Sequence, residues 1–154
     1  MARKIIGVVV GYITIFVIVF VSFTILYMIL GHDGTFEAGS YQVTTTWIII
    51  SFILGLVAAI LGGFVCVLIA KDRKTAYWLA GLVLVLGIAL AIPALGETNE
   101  ELNKVREETA GNMEAMENAK QPPISLIFNP IIGAVGVIAG SRLKKTKQQP
   151  LQSA

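Results

Sequence analysis

Charge is missing from most of this chain. Only 14% of its 154 residues are charged, against about 25% in ordinary soluble domains. Residues 5–30, 46–70, 76–95 and 124–141 contain no Asp, Glu, Lys, Arg or His at all. Each stretch approaches or exceeds the roughly 18–20 apolar residues needed to cross a hydrocarbon core about 30 Å thick. A water-soluble core is therefore excluded, and four spans leave no room for a separate soluble domain. The expected class is an all-α integral membrane protein, with four transmembrane helices in an antiparallel bundle.

Other scarcities narrow the chemistry. Ion-coupled transport normally uses an intramembrane carboxylate, His or Lys to carry a proton or organise a cation, and these spans hold none. The chain resembles the small multidrug exporters in size, but the embedded glutamate that such exporters carry in the first span has no counterpart here. One cysteine, Cys66, cannot form an intramolecular disulfide, so dithiol exchange is not expected. One histidine, His32, rules out a His pair for haem. No Asp-rich or Ser-His-Asp arrangement suggests lipid-modifying catalysis.

What charge there is lies between the spans, and it is segregated. Arg3 and Lys4, then Lys71, Arg73 and Lys74, then Arg142, Lys144, Lys145 and Lys147 place nine of the twelve basic residues on one side. Nine of the ten acidic residues lie on the other, Asp72 being the exception. The positive-inside rule makes the basic side cytoplasmic, with both termini there. The expected location is a plasma membrane or bacterial inner membrane. The first apolar run exceeds the 7–15 residues usual for a signal-peptide core, so it reads as a retained span that also serves targeting.

Residues 1–147 are expected to form a single four-helix domain, with a basic flexible tail over 144–154. The only sizeable polar region, 96–123, is an acidic outer segment. Thr98-Asn-Glu-Glu101 has the form of a helix capping box, and Glu100, Lys104 and Glu108 are spaced as i,i+4 ion pairs. Leu102, Val105, Met113 and Met116 share one helical stripe, which predicts an amphipathic extramembrane helix, or two shorter ones, with an outer interaction face. A disordered acidic loop is the competing reading, favoured by Gly111. The two methionines read as apolar packing rather than a Cu(I) site, and His32-Asp33 reads as a solvated turn rather than a metal site.

Within the spans the informative residues are small. Lipid tails are as apolar as leucine, so membrane helices associate through close backbone packing, which small side chains permit. Gly7 and Gly11 form a Gly-xxx-Gly pair in the first span. Gly55, Ala59 and Gly63 form a row in the second, beside Ala58, Gly62, Cys66 and Ala70. Gly87 and Ala91 serve the third span, Gly136 and Gly140 the fourth. Two adjacent small rows make the second span the expected bundle centre. The tight Lys71–Thr75 turn predicts that the second and third spans are antiparallel neighbours. Gly62-Gly63 lacks the lysine and helix start of a phosphate cradle.

Asn129-Pro130 is the one polar irregularity. Proline withholds a backbone donor, and Asn129 is the only side-chain amide in any span, so a kink with Asn129 bonded to a neighbouring helix is expected, or a small polar site there.

These readings name no substrate, cofactor or metal, and no nucleic-acid partner. They point to a non-catalytic accessory, assembly or regulatory subunit that meets the bilayer and a membrane-protein partner or a second copy of itself. An oligomeric pore for small uncharged solutes, lined by Ser, Thr, Tyr and Asn129, is the alternative.

Overall fold

The computed structural model describes residues 1–96, 105, 114 and 117–144. Four long apolar helices dominate them: α1 (Ala2–Thr35), α2 (Thr45–Ala70), α3 (Lys74–Leu95) and α4 (Pro123–Leu143). Each is long and apolar enough to cross a bilayer, and they pack as a bundle. The protein is a four-span, multi-pass helical membrane protein. Arg3, Lys4, Lys71, Arg73, Lys74, Arg142 and Lys144 gather at one end of the bundle, and Lys120 alone of the described basic residues lies at the other. Asp33, Glu37, Glu114 and Glu117 lie there too.

Local chemistry sets the helix ends. The first span stops where expected because Gly31 adopts φ 63°, ψ −168°, a backbone state that glycine alone enters freely. One further helical turn follows, closed by the Phe36 N–H donating to the His32 carbonyl at 2.9 Å. Thr44 then performs two tasks. Its hydroxyl oxygen accepts the Trp47 N–H at 3.2 Å, capping α2, and its O–H donates to the Gly34 carbonyl at 2.7 Å, fastening α2 to the end of α1.

The basic end is tied in the same economical way. Lys71 takes the left-handed conformation that ends α2, and the Asp72 carboxylate accepts the Lys74 N–H at 2.9 Å as α3 begins. Asp72 also pairs with Lys4 of α1 at 2.8 Å. From the end of α4, Lys144 Nζ reaches the Val67 and Leu68 carbonyls at 3.4 and 3.3 Å. A cation there meets the negative end of the α2 dipole, adding to the Lys71 N–H that the Val67 carbonyl already accepts at 2.9 Å. Arg73 in turn donates to the Lys144 carbonyl at 2.6 Å.

Helix α2 is the centre of the bundle, with α1 on one flank and α4 on the other. One expectation is corrected here. Helices α2 and α3 are joined by a tight turn, yet they share few contacts, and the main neighbour of α3 is α4. A short connection fixes only where α3 starts. Its course is decided by which face can approach closely, and the Gly87 face fits against Pro130 of α4.

At the acidic end the two loops are joined. Phe36 and Val43 form an isolated antiparallel bridge, Gln42 and Lys120 a parallel one, and Ser40 pairs antiparallel with Val105. The Lys120 N–H donates to the Tyr41 carbonyl at 2.8 Å, and the Val43 N–H to the Lys120 carbonyl at 3.0 Å. Within the segment expected to form one helix or two shorter ones, Val105 is not helical and pairs with Ser40, whereas Glu114 and Glu117 are helical. Side-chain periodicity carries no sign that Ser40 offers Val105 a backbone partner. Leu102, Met113 and Met116 lie outside the described residues.

Candidate functional site

Three features of the bundle carry chemistry: the seams between helices, the cap at the acidic end, and a cavity beneath it. The seams are built from small residues, because each brings a neighbouring backbone too close for a side chain. A Cβ on Gly7 would stand 2.8 Å from the Cys66 carbonyl oxygen and 2.9 Å from the Ala70 methyl. One on Gly11 would stand 2.8 Å from Leu79 and 3.0 Å from the Gly62 carbonyl oxygen, and one on Gly62 would collide with Ile15. The Ala58, Gly62, Cys66, Ala70 row of α2 thus faces α1.

The adjacent row faces α4. Gly63 lies directly against the Val137 carbonyl, and Gly140 against that of Ile60, while a Cβ on Gly136 would meet the Ala59 methyl at 2.8 Å. Ala59, Cys66, Val67, Leu79 and Val137 are almost completely buried where these seams converge. Between α3 and α4, a Cβ on Gly87 would meet the Pro130 ring at 2.6 Å. Gly55 differs from its neighbours, since no atom lies within 4 Å of where its Cβ would stand.

That space is part of a cavity of about 410 Å³ in the half of the bundle nearer the acidic end. All four helices contribute to its wall, where α1 and α3, which share few contacts, stand on opposite sides. Tyr12, Ala59 and Val83 lie deepest, and Ala91 and Gly87 line the α3 side. The wall is mostly apolar, and among the described residues no Asp, Glu, Lys, Arg or His belongs to it. Four side chains in it carry polar atoms, the Tyr12 phenol being one. Ser51 is buried, and its hydroxyl has no partner among the described residues. Gln121 and Asn129 also line the cavity, and neither side chain has a hydrogen-bond partner among the described residues.

The Asn129 amide therefore does not bond to a neighbouring helix, as the Asn129-Pro130 reading had it. Pro130 is buried as a packing element against Gly87 and leaves the Leu126 carbonyl without its helical donor, since it has no N–H. Asn129 and Ser51 each sit six residues into helices that start at the acidic end, so both lie about 9 Å down. Sequence reasoning missed Ser51 and Gln121. Neither belongs to a motif, and only the helix arrangement brings them to one space.

The cap above is aromatic within and acidic outside. Tyr41 and Phe36 are buried, with Tyr27 and Trp47 packed on them. Tyr41 donates its phenolic O–H to Glu114 at 3.0 Å, and Tyr27 and Trp47 meet edge to face with centroids 6.4 Å apart. Val105 lies on the outside of this cap, 74% exposed. Among the described residues no three His, Cys, Asp or Glu side chains are grouped to hold a metal ion. Comparison with protein-family models, with curated proteins and with solved structures gives no match.

Proposed function

We propose that this protein is a non-catalytic accessory or regulatory subunit that docks a membrane-protein partner, with the acidic cap outside and both termini cytoplasmic. The observation that carries this reading is the cap itself. Two loops separated by more than 70 residues are fixed to each other through Tyr41, Val43 and Lys120, with the Tyr41 side chain buried beneath. Ordering a surface before contact removes part of the entropic cost of association. Glu37, Glu114, Glu117 and Val105 are all exposed at this end, a combination that suits a basic protein surface.

The basic half of the bundle is filled by the glycine seams, so the cavity does not continue through one chain. This favours docking over conduction. The test is a photoactivatable side chain at Glu37 in native membranes, compared with one at the lipid-facing Val85. Docking gives one adduct of defined mass from position 37 only, and Val105→Asp abolishes it. Absence of an adduct, together with flux of small uncharged solutes into liposomes containing this chain alone, would establish the oligomeric facilitator instead.

A further inference from the structure

We propose that the cavity is a binding site for one single-chain neutral lipid, whose hydroxyl or ester head bonds near Asn129 and Gln121 and whose chain extends to Ala59 and Val83. Three independent observations lead there. The first is the mismatch of polar groups: Ser51, which is buried, and Asn129, which is exposed, stand about 9 Å down their membrane helices with no side-chain partner among the described residues. Water is scarce at that depth, and a polar group in hydrocarbon demands a partner. Gln121, just before α4, also lines the cavity, so α2 and the α4 side both bring donors and acceptors to it.

The second observation is Gly55. The other glycines facing α1 or α4 from α2, Gly62 and Gly63, are there because a neighbouring helix leaves no space, whereas Gly55 has nothing within 4 Å. Glycine in a helix interior is unfavourable relative to alanine by about 1 kcal/mol, and at Gly55 no packing contact offsets it. What its missing side chain leaves is volume, within the cavity wall.

Third, size and charge select the occupant. A volume of about 410 Å³ falls at the lower end of the ligand-site range, roughly 300–1,000 Å³, which suits one chain rather than two. With no ionisable residue in the wall among the described residues, a carboxylate or phosphate inside would lack a counter-charge from them. The groups present suit hydroxyl, ester or amide oxygens, because Asn and Gln both donate and accept. Entry is from the surrounding leaflet between α1 and α3, which share few contacts and flank the cavity. This proposal is independent of the docking role of the cap.

The probe is a monoacylglycerol carrying a diazirine in its acyl chain, added to the full-length protein in phosphatidylcholine vesicles and mapped by mass spectrometry after irradiation. The expected result is saturable labelling of cavity residues on α1 and α4, competed by unlabelled monoacylglycerol. Fatty acid at pH 8 and lysophosphatidylcholine should compete at least tenfold less well. Gly55→Leu fills the space and should abolish saturable labelling. Asn129→Leu removes one hydrogen bond to the head and should raise the half-saturating concentration about tenfold, with Asn129→Gln intermediate. Heat-induced exposure of Cys66 reports whether each variant retains the parent fold. Labelling that does not saturate and falls equally on lipid-facing Phe20 and Val85 would overturn the proposal. So would unchanged labelling in folded Gly55→Leu, or equal competition by the charged amphiphiles.

Discussion

Adding a single methyl group at two glycines of α2 should have opposite effects on stability. At Gly63 a Cβ would overlap the Val137 carbonyl and stand 2.8 Å from both the carbonyl carbon and Cα of that residue. Carbon atoms prefer 3.5–4.0 Å, so α2 and α4 would have to separate by roughly 1 Å, forfeiting a quarter to half of the contact energy along the seam. Overpacking of this kind costs about 1–3 kcal/mol, and the gain in helix propensity returns about 1 kcal/mol of it. Gly63→Ala should therefore be destabilising by about 0–2 kcal/mol. At Gly55 the same methyl meets nothing within 4 Å, and Gly55→Ala should be neutral or stabilising by up to about 1 kcal/mol. Cys66 provides the assay: it is the only cysteine and is fully buried, so a fluorogenic maleimide in mild detergent reports unfolding directly. The midpoint should fall for Gly63→Ala and hold or rise for Gly55→Ala. Equal midpoints, or the reverse order, would refute the assignment of the α2–α4 seam.

Three further outcomes are expected. In a Cys66→Ala background on intact cells, an impermeant thiol reagent should label a cysteine at position 40 and not one at position 73, because basic residues collect at the end that holds Arg73. The Asp72 carboxyl is held below its ordinary value of 3.8 by the hydrogen bond from Lys4, with help from the Lys74 N–H. Its contribution to docking the start of α1 is thus complete above about pH 5 and is lost as pH falls through the lowered value. A spin label near Met1 should accordingly loosen only in strong acid, and Lys4→Gln should loosen it at neutral pH. Tyr41→Phe removes the bond to Glu114 and should cost about 1 kcal/mol. It should speed amide exchange at Val43 and Lys120 without altering the Cys66 midpoint.

The four spans were legible because charge is so unevenly placed. Residues 5–30, 46–70, 76–95 and 124–141 fall within α1 to α4, and Gly31 at the break in α1, Lys71 after α2 and Pro123 at the start of α4 interrupt the pattern by known backbone chemistry. The two small rows of α2 were visible as rows, but nothing in their spacing says which helix each one faces. Partner choice depends on the shape of both surfaces, and α3 shows this when it turns from α2 to the Pro130 ring. The cavity was harder still to foresee. Gly55 is indistinguishable from Gly63 by spacing, and an empty volume leaves no periodic trace. Thr44, by contrast, could have been read as a cap before the Trp47 run.

The position of α4 in the chain has a consequence for how the protein is made. Helix α2 is synthesised early, yet one of its two close-packing faces has no occupant until the last span arrives, and α3 waits for the same helix. Without α4, the Ile60 and Leu68 carbonyls lack the Gly140 and Lys144 contacts they have in the bundle. Nothing in the first three helices can replace Gly140 or Lys144. The fourth span is thus a keystone: without it the α2 face that carries Gly63 stays an open groove, and α3 has no close neighbour to hold it.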